Sequence, residues 1–219
     1  MTKPSGAPDY SATVAKIREA SRVCRAGGPD AFDGFRDLVS LLLCLTIGHK
    51  RAAIHLARAK GPRGVQARML TGGHAPAGPD VVRLSNERYL RLVVSLYLGE
   101  GAGRDFPRTS MSLLQYQLDE AGDDWVFRYE YKREPDPAQP KPVGHLHVRG
   151  KLASTGQLAK KQQLKHVHFP CGRPTIEGVI RLLADDFHVP TNAPDDMWRP
   201  ALAASERDFL AVAHKEVQP

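Results

Sequence analysis

From Ser11 to Cys24, apolar or small side chains return every three or four positions, at Val14, Ile17, Ala20 and Cys24. That spacing puts them on one face of a helix. AGGPD (26–30) breaks the pattern. A second helical stretch carries Phe32, Phe35, Leu38, Val39, Leu42 and Leu43. Gly48 interrupts it before His49–Lys60, where Ile54 and Leu56 stand among basic residues, and Gly61–Pro62 ends that segment. TGGHAPAGPD (71–80) holds almost no apolar anchor and reads as a linker. The pattern therefore predicts a basic helical domain over 1–75 and a second domain over 76–219.

Beyond the linker the period changes from three or four to two. YLRLVVSLYL (89–98) and Ser110–Leu118 read as strands, and DEAGDD (119–124) has hairpin-loop chemistry. WVFRYEYK (125–132) alternates throughout: Trp125, Phe127, Tyr129 and Tyr131 are expected in the core, with Arg128, Glu130 and Lys132 on the other face. Four prolines between Glu134 and Pro142 exclude that segment from a central ladder. Gly144–Leu152 and Leu164–Phe169 read as two further strands. Ile176, Val179, Ile180, Leu183 and Phe187 define an amphipathic helix over 174–187, with Thr175 as its cap and Glu177 in its first turn. A last amphipathic helix is expected over 201–217. The predicted fold class is α+β: an N-terminal helical domain, then a curved antiparallel sheet of about five strands packed by a helix.

Composition narrows the class further. The 219 residues are 42% hydrophobic and 25% charged, as in a folded globular chain. Three separated cysteines without a CxxC pair exclude a zinc ribbon and fit a reducing compartment. The longest apolar run, Leu38 to Ile47, is about half of what spans a bilayer. No leader-like segment opens the chain, so a cytoplasmic location and no membrane partner are expected. The net charge of +7 is uneven: residues 1–75 hold 12 Lys+Arg against 5 Asp+Glu, and the remainder is balanced. A local basic excess is the footprint of a phosphate- or carboxylate-rich partner. Lys50, Arg51, Arg58, Lys60 and Arg63, with the loop residues Lys160, Lys161 and Lys165, are the candidate nucleic-acid contacts.

The candidate chemistry follows from strand parity. With apolar residues placed inward, one polar face gathers Gln115, Gln117, Arg128, Glu130, Lys132, His145, His147, Arg149, His166 and His168. Metal-free RNA cleavage requires a base for the 2′-hydroxyl, an acid for the leaving oxygen and a cation for the phosphate. The four histidines with Glu130, Arg128 and Arg149 supply those types. A solvated sheet face and a transition-metal site are the competing readings. Metal ranks behind acid–base chemistry here, because Glu130 is the one carboxylate on the face and no cupin-like spacing follows; no cofactor is expected. Cys171, ahead of a helix, is a weaker candidate nucleophile. No Walker A loop, dinucleotide fingerprint or nucleophile elbow is present.

YQLDEAGDDWVFRYEYKR (116–133), a Pro-rich gap, GHLHVRG (144–150) and PTIEGVIRLLADDF (174–187) together resemble the core of the TumE-type toxins of bacterial toxin–antitoxin loci. The matching positions are Arg128, Tyr129, Glu130, His145, His147, Thr175 and Glu177. The resemblance covers about a third of the chain. It implies a toxin-like ribonuclease directed at RNA and an acidic protein partner such as an antitoxin. The expected function is thus a nucleic-acid-directed protein, in its most specific form a metal-independent endoribonuclease. The alternatives are a non-enzymatic binding module and, third, a metal-dependent enzyme with His-x-His ligands.

Overall fold

The computed structural model describes residues 10–49, 54–61, 64–71, 81–98, 107–134, 143–149 and 168–213. Helices α1 (Ser11–Ala26) and α2 (Ala31–Leu45) come first. Among the described residues eight strands follow: β1 (Ile54–Gly61), β2 (Gly64–Thr71), β3 (Val82–Arg83), β4 (Tyr89–Leu98), β5 (Pro107–Gln117), β6 (Trp125–Lys132), β7 (Gly144–Val148) and β8 (Phe169–Pro170). Helices α3 (Ile176–Asp185) and α4 (Asp195–Ala213) close the order. The strands form one open antiparallel sheet in the order β1-β2-β4-β5-β6-β7-β8, with β3 paired to β4. Mixed α+β architecture is therefore found, with a larger sheet than expected.

Residues 54–61 and 64–71 are strands, where the basic domain was expected to be helical. Ile54 and Leu56 are two apart, which is strand spacing as much as part of a helical face, and Gly61 pairs with Gly64 to close a tight hairpin. Strand β2 pairs with β4 across the expected linker, and one hydrophobic core takes residues from both sides of it. The expected boundary near residue 75 thus does not separate two cores.

The four helices of the described residues all contribute to that core, which lies on one face of the sheet. Leu90, Leu92, Val94 and Leu96 of β4, Leu114 and Tyr116 of β5 and Phe127 of β6 are buried there with Phe32, Val39, Leu42, Ile180 and Leu183. Phe187, just after α3, lies with its ring centroid 5.2 Å from Tyr116 and 5.4 Å from Phe127. The β4 burial pattern alternates without a break, as a sheet with one covered face requires. Thr175 caps α3 as expected, accepting from the Gly178 N–H at 2.8 Å. Helix α4 starts at Asp195, earlier than expected, and holds Pro200 inside it. The Asp195 carboxylate accepts from Trp198 Nε1 and Arg199 Nε, both at 2.9 Å, which stabilises the turn before the proline.

One strand departs from its sequence pattern. The register of β5 and β6 shifts between Tyr116 and Gln117, so that Tyr116 faces Phe127 but Gln117 faces Trp125. This bulge moves Trp125 off the core face, and Val126 packs against the core instead. The Arg128 guanidinium lies 5.4 Å from the Trp125 ring. The hairpin before it is held by the Asp119 carboxylate, which accepts from the N–H groups of Gly122, Asp123 and Asp124. Gly122 has φ +86°, a left-handed conformation that favours glycine. Among the described residues no helix is long and apolar enough to cross a membrane.

Candidate functional site

The face of the sheet opposite the helices carries the cluster. Pairing registers put Arg91 of β4 beside Gln115 of β5, Gln115 beside Arg128 of β6, and Arg128 beside His147 of β7. In the neighbouring row Val93, Leu113, Glu130 and His145 follow one another. Leu146 pairs with Phe169, so His168 stands at the register position opposite His147. The β7–β8 approach is close: a Cβ on Gly144 would lie 2.7 Å from the Cys171 carbonyl oxygen. Glycine at 144 therefore lets the last strand come near enough for His168 to join the pair.

Three imidazoles converge there. The ring centroids of His145, His147 and His168 are 4.5 to 4.9 Å apart, and one nitrogen from each lies within 4.8 Å of the others. His145 and His147 are buried, at 3% and 4% exposure. A solvated face was one of the competing readings; at these two positions the face is buried. Glu130 reaches the cluster from β6, with Oε2 3.3 Å from His145 Nε2 and Oε1 3.8 Å from His147 Nε2. Arg128 Nε sits 2.7 Å from Glu130 Oε1 on the other side, an ion-pair contact without hydrogen-bond geometry.

Electrostatics fix the protonation state of one ring. Burial, the largest influence, pushes the His147 pKa down to about 4; Glu130 opposes the shift, while Arg128, His168 and His145 reinforce it. His147 is thus neutral at pH 7. Both of its ring nitrogens are buried with no hydrogen bond in the structure. A buried polar atom left so costs about 1–3 kcal/mol. His147 therefore carries an unmet demand for a donor, a proton acceptor or a metal ion, and as a neutral ring it serves as a base or a ligand.

The other expected site residues divide into three groups. Arg149 is drawn away from the cluster, since its guanidinium bonds the Asp123 carbonyl and lies 3.3 Å from Asp124. His166, Lys50, Arg51, Arg63, Lys160, Lys161 and Lys165 lie outside the described residues. Arg58 and Lys60 are on β1, and Arg58 is bound to Asp33 of α2. Arg22, Arg25 and Arg36 are likewise paired, with Glu19, Asp208 and the pair Asp33/Asp37. With Arg58 these are four of the twelve basic residues of 1–75, and Arg22, Arg36 and Arg58 pair with acids of the same segment. Cys171 is not an activated nucleophile: burial raises its thiol pKa.

Two features escaped sequence reasoning. Arg91 continues the polar row beyond Gln115, and its alternation with Leu90 and Leu92 was a sufficient signal for that face. Gln115 and Gln117 belong to the face but are buried and satisfied, Gln115 donating to Gln117 at 2.8 Å and Gln117 to the Asp119 carbonyl at 2.8 Å. They brace the hairpin. No protein-family model, curated protein or solved structure matched the chain. Fold and site together define an α+β protein with a one-sided antiparallel sheet and a buried His/Glu/Arg cluster on its other face.

Proposed function

We propose that this chain is a nucleic-acid-directed protein whose His/Glu/Arg cluster acts on phosphodiesters, with a toxin-like endoribonuclease as its most specific form. The observation that carries the reading is Glu130, whose carboxylate reaches Arg128 on one side and the imidazoles of His145 and His147 on the other. A base, its orienting carboxylate and a cation are the parts that 2′-hydroxyl attack on a phosphodiester uses. In this reading the neutral His147 takes the 2′-hydroxyl proton as the new bond to phosphorus forms. His145 or His168 is the donor of a proton to the departing 5′-oxygen. Glu130 orients the imidazoles, and Arg128 faces the phosphate charge.

The test is cleavage of single-stranded, structured and transfer RNA by the purified chain across pH 5–9. Cleavage that His147→Ala and Glu130→Gln each reduce at least about 100-fold is the expected result. No cleavage of any of these RNAs by the wild-type chain contradicts the reading and leaves the binding module.

A further inference from the structure

We infer that His145, His147 and His168 bind one divalent first-row transition ion, zinc foremost, with the Glu130 carboxylate in the fourth position. The inference concerns the same cluster as the phosphodiester reading but does not depend on that substrate.

The donor set comes first. Three neutral-capable imidazoles and one carboxylate suit zinc, and also iron, nickel or copper, rather than magnesium or calcium. The spacing comes next. In a tetrahedral zinc site with bonds of about 2.0–2.1 Å, neighbouring donor atoms stand about 3.4 Å apart. Glu130 Oε2 is 3.3 Å from His145 Nε2, and Glu130 Oε1 is 3.8 Å from His147 Nε2. The two distances run to different oxygens of the carboxylate, and Oε2, the oxygen nearer His145, stands at the edge length of such a tetrahedron. The imidazole donors, within 4.8 Å of one another, close by an ångström or so through small rotations about their side-chain bonds.

Burial and support favour the same conclusion. His147 has two buried ring nitrogens without a hydrogen bond, the orphaned condition that a ligand bond relieves. A cluster meant only to fill space needs no such groups, and Leu or Phe would fill it without the demand. The donors stand on paired strands or directly beside one, which fixes their geometry in advance. Arg128 has the place of an outer partner. Its Nε is ion-paired with Glu130 Oε1 at 2.7 Å, leaving Oε2 on the side of His145. Arg128 is a positioning residue here, acting through the carboxylate.

The experiment uses the untagged full chain, stripped with a chelator and dialysed. Zinc is titrated against a chromophoric competitor, and cobalt(II) is added separately for its visible absorption. One zinc per chain is expected, with cobalt bands of four- or five-coordinate intensity. His147→Ala and His168→Ala are each expected to weaken binding at least about 100-fold, and Arg128→Ala about 10-fold with altered cobalt bands. Circular dichroism identifies variants that remain folded, and His168→Asn replaces any that does not. Failure of the wild-type chain to bind zinc stoichiometrically overturns the inference whatever the variants do. Stoichiometric binding that persists in folded His147→Ala and His168→Asn chains also overturns it. Zinc binding without RNA cleavage upholds this inference and sinks the phosphodiester reading. Cleavage by a chain that binds no zinc does the reverse.

Discussion

Two buried polar clusters lie on opposite sides of the same sheet, and they are built differently. On the helical side Glu177 is 2% exposed, and Ser205 of α4 donates to its Oε1 at 2.5 Å. Its neighbour Glu206 accepts from Thr175 at 2.9 Å and from Arg181 at 2.5 Å. Burial raises the Glu177 pKa, so a proton is held more easily there than in water. Every contact in that group ties α3 to α4. On the other side His147 is as deeply buried, yet neither of its nitrogens is bonded. The first cluster completes its own hydrogen bonds and needs nothing more. The second leaves both nitrogens of His147 without one. Satisfaction, rather than burial or charge, separates the two clusters.

The largest expected effect tests which face is core. Phe127→Ala removes a ring packed against Tyr116 and Phe187 and is expected to cost about 3–5 kcal/mol. Trp125→Ala, on the far side of the bulge, is expected to cost clearly less despite the larger side chain. Chemical denaturation of both variants decides it, and equal losses would return Trp125 to the core.

The next prediction addresses the two polar clusters directly. Replacing an unsatisfied buried polar group with an apolar one of similar size is neutral or stabilising, whereas removing one partner of a satisfied pair is costly. Ser205→Ala is therefore expected to destabilise by about 1–3 kcal/mol. His147→Leu in the metal-free chain is expected to leave stability unchanged or raise it. Melting temperatures that fall alike for both would erase the distinction. Gly144→Ala lies between them: its Cβ would meet the Cys171 carbonyl, and the strain is expected to cost about 1–3 kcal/mol and to weaken zinc binding.

The smallest effects are in pH dependence, where the clusters are expected to act in opposite directions. His147 has a folded pKa of about 4, below the ordinary imidazole value, so the unfolded chain takes up the proton first. Its contribution to stability is present above about pH 6.5 and is lost as pH falls towards 4. The raised Glu177 pKa works the other way: its contribution is present below the ordinary carboxylate value and is lost as pH rises through the folded value. His147→Leu is expected to flatten the acid limb of the stability profile, and Glu177→Gln the decline with rising pH. Denaturation midpoints between pH 4 and 8 measure both.

What was legible in the chain was what local pattern controls. The Thr175 cap, the DEAGDD hairpin and the alternation of β4 each have a short-range cause, and each is found. Parity brought Arg128, Glu130, His145 and His147 to one face because alternation alone decides it. Residues 54–61 were missed because Ile54 and Leu56 sit among cations, where two apolar positions do not separate helix from strand. Trp125 was misplaced because a bulge depends on the register with β5, which one strand's sequence does not contain. Burial of the histidines and the bond from Ser205 to Glu177, 28 residues away, are tertiary facts. The inclusion of His168 likewise depends on β8 lying against Gly144.

The central claim is that the histidine cluster is completed by a metal ion. Calorimetric melting of the metal-stripped chain, with and without zinc at about 100 times its dissociation constant, tests this most directly. Binding to the folded state alone stabilises by about 2.7 kcal/mol under that condition, which for a chain of this size raises the melting temperature by roughly 5–10 °C. The account predicts that rise for the wild-type chain and its absence in His147→Leu. An unchanged melting temperature in the wild-type chain, or an equal rise in His147→Leu, would contradict it.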